Sequence, residues 1–228
     1  MNPDLIKELT VYLTDFISEQ RLQRIEEILA KRTNHVSVVL EDLHKAHNAN
    51  AVLRSCEGFG VQDVHIIENK NEFDEAGPVS IGAHQWLSLH RYNKPEHDNL
   101  SDCFAHLRNN GYKIIATTPH EKDSNISELP IDEKVALVFG TELVGVSDQV
   151  KEQADGFVKI PMYGFSESFN ISVSAAVCLY ELTTRLRASD TQWGLDEAYK
   201  DRIRYEWIKQ TIKAGDQIVE KYLKEREG

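Results

Sequence analysis

The sequence predicts an α/β domain on a largely parallel sheet, set between two helical extensions. Two observations carry this. From Ser37 to Arg187 short apolar runs alternate with stretches of helical periodicity, as strands joined by crossover helices require. On either side of that region the periodicity is helical only.

Residues 3–32 read as helical because Leu5, Ile6, Leu9, Leu13, Phe16 and Ile17, then Leu22, Ile25, Ile28 and Leu29, recur at helical spacing. The α/β alternation follows. Val38 to Leu40 reads as a strand, Ala49 to Cys56 as a helix, Val64 to Ile67 and Leu87 to Tyr92 as strands, and Asp102 to Asn109 as a helix. Lys113 to Thr117, Val135 to Phe139 and Phe157 to Ile160 read as further strands. Helices are expected after Ser147 and from Asn170 to Arg187. Beyond Ser189-Asp190 the chain turns charged, with Leu195, Tyr199, Ile203, Trp207, Ile208, Ile212, Ile218 and Leu223 at helical spacing. The expected domains are therefore an N-terminal extension, 1–32, a central domain, 33–189, and a C-terminal extension, 190–228.

Composition narrows the function classes. No apolar run approaches the length of a bilayer crossing, and Asp4, Lys7 and Glu8 stand where a signal peptide needs an apolar stretch, so a soluble, cytoplasmic chain is expected. Cys56, Cys103 and Cys178 are widely spaced, without a C-x-x-C pair, and the nine histidines are scattered. Neither a disulfide framework nor a metal site is expected. The net charge of −11 argues against a surface that grips nucleic acid everywhere. It leaves room for a local patch. Arg21, Arg24, Lys31, Arg32, Arg185, Arg187, Lys200, Arg202 and Arg204 gather towards the chain ends, either as such a patch or as solvated helix faces.

Ligands in open α/β sheets bind in the loops at the carboxyl ends of strands, and three such loops stand out. The first runs from Glu41 through Asn48, Asn50 and Arg54 to Gly58 and Gly60. Either asparagine suits a helix N-cap, and the two glycines suit a helix stop rather than a dinucleotide fingerprint. The second carries Gly140, Glu142, Gly145 and Ser147. It approaches a phosphate-binding loop, but Val146 stands where that loop needs lysine. Gly140 permits close backbone approach to a ligand, Ser147 suits a cap, and Glu142 is a surface carboxylate or a ligand acceptor. The third runs from Ile160-Pro-Met162 through a Gly/Ser stretch to Ser168, Asn170 and Ser172, where a helix starts. Taken alone, Ser168 and Asn170 are capping groups.

Together the three loops resemble the signature motifs of the SpoU/TrmH methyltransferases in order and separation: N-x-x-x-x-x-R through Asn48 and Arg54, G-x-E-x-x-G through Gly140, Glu142 and Gly145, and I-P-M…S-x-N-x-S through Ile160, Met162, Ser168, Asn170 and Ser172. The resemblance spans Ser37 to Arg187. It implies a parallel sheet with helices on both faces, its C-terminal part threaded into a deep trefoil knot, an exception to the usual unknotted chain. It also implies a homodimer and an S-adenosylmethionine site among the knot loops, at Thr117, Gly140, Ile160, Met162 and Phe169. The implied reaction is 2′-O-methylation of RNA. Arg54 would activate the ribose hydroxyl or stabilise the developing alkoxide, Asn48 would orient it, and Glu142, Ser168 and Asn170 would shape the site. No metal is needed. The helical extensions and the opening Val-Leu-Glu-Asp-Leu-His-Lys-Ala-His-Asn resemble the subgroup acting on guanosine 18 in the transfer RNA D-loop. Ribosomal RNA, another transfer RNA position, or a non-catalytic RNA-binding role are the alternatives.

Overall fold

A computed structural model of the chain describes residues 1–43, 46–71, 82–119, 124–141 and 144–227. The chain forms two compact units, one of Met1–Arg32 with Gly194–Gly228 and one of Thr33–Trp193.

The first unit is helical: α1 (Pro3–Thr14), α2 (Glu19–Leu29), α7 (Glu197–Thr211) and α8 (Gly215–Glu227). The single helical run expected over 3–32 is two helices, because the Ser18 hydroxyl accepts from the Arg21 amide and starts a new one. Asn2 and Asp196 cap α1 and α7 in the same way. Leu9 and Leu13 of α1, Ile25 and Leu29 of α2, and Ile203, Trp207 and Ile208 of α7 are buried. Their 3–4 spacing explains why α7 packs on both N-terminal helices.

The second unit holds a seven-stranded sheet in the order β3-β2-β1-β6-β4-β7-β5, every neighbouring pair parallel. The strands are β1 (Val36–Glu41), β2 (Asp63–Ile67), β3 (Ser88–Tyr92), β4 (Tyr112–Thr117), β5 (Ser124–Asn125), β6 (Lys134–Phe139) and β7 (Gly156–Lys159). Strand β1 is buried at every position, as a central strand covered on both faces must be. Two apolar cores form as a consequence. One joins α3 (Ala46–Phe59) and α6 (Ile171–Arg187) to one sheet face, and the other joins α4 (Asn99–Asn109) and α5 (Asp148–Gln153) to the opposite face.

Helix α3 starts two residues before Asn48, so Asn48 lies in the first turn and is not its cap. Ser147 does cap α5, accepting from the Val150 amide at 3.2 Å. Gly60 turns the chain out of α3 with φ +78°, a conformation open to glycine. Among the described residues no helix is long and apolar enough to cross a membrane.

Candidate active site

Because the strands are parallel, the loops after β1, β4, β6 and β7 all open at one edge of the sheet, and these four strands are neighbours in it. The three motif-bearing loops are thereby gathered at one place. Thr117, the last residue of β4, donates its hydroxyl to the Val138 carbonyl at 2.9 Å, and Thr118 donates its amide to the Val158 carbonyl at 2.9 Å. The mouths of β4, β6 and β7 are held together by these bonds.

The turn after β6 is tight. Thr141 and Gly145 exchange backbone hydrogen bonds at 2.9 Å each way, and Gly145 has φ +72°. A Cβ on Gly140 would stand 2.1 Å from the Gly145 carbonyl oxygen, so only glycine fits. The space a side chain would need is filled by the turn's own backbone, so the glycine keeps the loop closed on itself. Glu142 lies outside the described residues.

Ser147 also donates its backbone amide to Glu41 Oε2 at 2.9 Å, tying the turn after β6 to the end of β1. Burial pushes the Glu41 carboxyl up from its ordinary range, against the opposing pull of the Ser147 hydrogen bonds. Next in the chain, Asp42 adopts φ +48° and accepts from the amides of Asn69 and Lys70 at 2.7 Å each. One Glu-Asp dipeptide thus anchors two loops at the site edge. Neither acid was singled out in the sequence, where two polar residues after an apolar run mark only a strand end.

The first and third loops meet through Asn48 and Asn170, whose side chains are 3.4 Å apart with the Asn170 Nδ2 donating to Asn48 Oδ1. Asn48 is buried, whereas Arg54 is exposed. Among the described residues the Arg54 guanidinium has no hydrogen bond, ion pair or ring contact. Asn170 is also the N-cap of α6, accepting from the Ser172 amide at 2.9 Å and the Ser172 hydroxyl at 2.6 Å. Ser168 and Phe169 are exposed, and Ile160 and Met162 are half-buried, with Ile160 packed on the core. The structure therefore pairs Asn48 with Asn170. It gives neither Arg54 nor Ser168 a side-chain partner among the described residues.

Residues 35–180 match the model of the SpoU rRNA Methylase family. The chain belongs to this family. Among its SpoU relatives, the tRNA (guanosine(18)-2′-O)-methyltransferase of Borreliella burgdorferi is 41% identical over 93% of this chain and 95% of that protein. The enzyme of the same name from Thermus thermophilus is 34% identical over 84% of this chain and 97% of its own. Among solved structures, the A. aeolicus TrmH/SpoU tRNA modifying enzyme superposes with a TM-score of 0.72 at 28% identity, covering 85% of this chain and 98% of that one. Both relatives extend through nearly their whole length, so the SpoU likeness includes more than the three loops.

Proposed function

We propose that this chain methylates the 2′-hydroxyl of guanosine 18 in the D-loop of transfer RNA, using S-adenosylmethionine, in the cytoplasm. The observation that carries the reading is the meeting of the Asn48 and Asn170 side chains beside the glycine turn at Gly140, in a chain resembling guanosine-18 enzymes over most of its length. Backbone groups around Thr117, Gly140, Ile160, Met162 and Phe169 would hold the cofactor. The fit rests on three adjacent strand mouths that open together, with the turn after β6 kept tight by Gly140. We read the chain threading behind these loops as a deep trefoil knot.

When bound, the cofactor would supply an electrophilic sulfonium methyl: the ribose oxygen would release its proton to solvent water and form the new O–C bond, while the electrons of the broken C–S bond would stay on sulfur. The protein's share is orientation and charge. Arg54 acts as a stabiliser of the developing alkoxide and of a neighbouring phosphate, because a guanidinium is a planar, permanently charged donor and a poor base. An exposed guanidinium without an internal partner is available to an incoming anion. Asn48, held by Asn170, fixes the first turn of α3, the helix that carries Arg54 further along, and Glu142 and Ser168 complete the ribose pocket. In-line placement of the hydroxyl supplies much of the rate.

A homodimer is part of the same reading. Val173, Val177 and Tyr180 form an exposed stripe on α6, joined by exposed Phe165 and Phe169 from the preceding loop. Exposed apolar residues at this spacing on one helix face support a surface that a second copy covers.

The test is to incubate the protein with an unmodified transfer RNA transcript and methyl-labelled S-adenosylmethionine, then map the label. Label on the ribose of guanosine 18, absent when that ribose is 2′-deoxy, is expected. Label confined to another nucleotide, or to ribosomal RNA, would overturn the substrate.

A further inference from the structure

The cations that cluster near the chain ends are mostly engaged inside the protein. Arg32 is buried over the Trp207 ring, Arg204 pairs with Glu26 and Asp201, and Lys200 pairs with Glu197. Arg185 donates to the carbonyls of Ile126 and Leu129, and Arg187 donates to that of Phe59. The unit Thr33–Trp193 is strongly acidic, with 13 lysines and arginines against 23 aspartates and glutamates. Among its described residues, only the side chains of Arg54, Lys70 and Lys94 are cations without a hydrogen bond, ion pair or ring contact. Lys70 and Lys94 lie just past the carboxyl ends of their strands, and Arg54 lies on α3, the helix that follows β1.

Lys70 follows β2 and Lys94 follows β3, so both open at the same edge as the loop after β1 that leads to Arg54. Their backbones are fixed while their side chains are exposed. Asp42 Oδ1 accepts from the amides of Asn69 and Lys70 and, at 3.4 Å, of Asn71. The Asn71 Nδ2 returns a bond to the Asp42 carbonyl at 2.9 Å. Buried Asn99 accepts from the Lys94 amide at 3.0 Å and donates to both the Lys94 carbonyl and Asn69 Oδ1 at 3.1 Å. The two lysine-bearing turns are thus locked to each other and to the end of β1. Asp42 does this from a left-handed conformation, φ +48°, which aspartate adopts more readily than most side chains.

Among the described carboxylates near this edge, Asp42 faces backbone amides, Glu41 holds the Ser147 amide and attracts Lys70, Asp98 caps α4 and accepts from Gln149, and Glu68 pairs with Arg91, while exposed Glu96 follows Lys94 by two residues. We propose that Lys70 and Lys94, in line with Arg54, receive the phosphodiester backbone of the RNA substrate as it leaves the methylation site. Neighbouring strands lie about 4.8 Å apart, so the edge from β1 to β3 spans roughly 10 Å, which a few nucleotides cover. The proposal rests on the RNA-methylating reading and names the surface that grips the RNA in an acidic domain.

The test measures transfer RNA affinity across a salt series for the wild type, Lys70→Gln/Lys94→Gln, Lys70→Arg/Lys94→Arg and Lys113→Gln/Lys134→Gln. The last pair makes the same charge change at the starts of β4 and β6, the opposite sheet edge. The first double variant is expected to bind about tenfold more weakly near 0.1 M salt, with a log–log salt slope flatter by about 1.4. The arginine pair and the opposite-edge pair should stay within about twofold of the wild type. Equal losses in both glutamine pairs, or no loss in the first, would overturn the proposal. A wild type that labels only another RNA would instead overturn the substrate, and the same series on that RNA then decides the edge.

Discussion

Asn170 reaches across 122 residues of chain to place its Nδ2 3.4 Å from Asn48 Oδ1, so the cap of α6 also touches the first turn of α3. The same side chain accepts from Ser172 through its oxygen, which fixes which amide atom faces Asn48. Capping and positioning can be separated experimentally. Serine caps helices about as well as asparagine but is too short to reach Asn48. Asn170→Ser should keep stability within about 0.5 kcal/mol while lowering single-turnover methyl transfer about tenfold, whereas Asn170→Ala should also lose about 1 kcal/mol in denaturant unfolding. Full turnover in the serine variant would reduce Asn170 to a cap.

Arg54 contributes nothing visible to the fold, since its guanidinium is exposed and has no partner among the described residues. Its removal is therefore expected to act on chemistry. Arg54→Ala should lower kcat by about 10²–10³-fold, the usual cost of one charge-stabilising donor, with the thermal midpoint unmoved. Arg54→Lys should recover little, because a point charge cannot reproduce a planar fork. The pH–rate profile decides the role. A profile that loses an ionisation in the alanine variant would make Arg54 the base rather than the stabiliser.

Much of this architecture was legible because burial leaves a direct trace in sequence. The apolar run of β1 and the small-residue start of α6 announce a covered strand and a packed helix. Pairing order was not legible. Nothing in periodicity says that β6 inserts between β1 and β4, or that the two-residue β5 joins the edge. Asn48 looked like a cap because cap chemistry is local, and only the folded chain brings Asn170 to it. The role of the clustered arginines was left open for a related reason: charge shows in sequence, but partners such as the Trp207 ring or the Leu129 carbonyl do not.

Gly140 is required by space rather than by backbone angle. A methyl group there would stand 2.1 Å from the Gly145 oxygen and 2.3 Å from the Val146 nitrogen, both backbone atoms that cannot swing aside. Gly140→Ala must therefore displace the turn after β6 and with it the Ser147 amide that Glu41 holds. Calorimetry with S-adenosylmethionine should show at least a tenfold loss of affinity, about 1.4 kcal/mol. Gly164, whose Cβ would meet nothing within 4 Å, supplies the control, and Gly164→Ala should bind as the wild type does.

Acid should loosen the β2–β3–α4 region. His65 and His90 stack with centroids 4.6 Å apart, His106 lies 5.6 Å from each, and His65 bonds the Tyr92 hydroxyl at 3.1 Å. Burial, then the neighbouring histidines, push His65 down to about 2, and burial followed by His90 lowers His106. The unfolded chain takes up these protons near pH 6.5 and the folded chain resists them, so stability is full above that pH and declines as pH falls below it. Buried His65 adds a slope of up to about 1.4 kcal/mol per pH unit, and exposed His106 adds less because solvent screens it. Urea unfolding between pH 7 and 5 should show this decline, and His65→Leu should remove a large part of it. A pH-independent midpoint over that range would contradict the assignment.

The α6 stripe makes the oligomer testable without touching the catalytic loops. Tyr180 is 60% exposed and Val177 38%, and both lie on the solvent side of a helix whose other face, through Ala175, Cys178, Leu179 and Leu182, is buried in the core. Val177→Glu/Tyr180→Glu places two carboxylates on the stripe and leaves that core untouched. If a second copy covers this face, the variant should sediment at half the wild-type mass, because like charges brought together across a two-fold contact repel and lose hydration. If each site is completed across that contact, methyl transfer should fall with it. A variant that remains dimeric would assign the contact to another surface, and a monomeric variant of full activity would show that one copy is sufficient for the reaction.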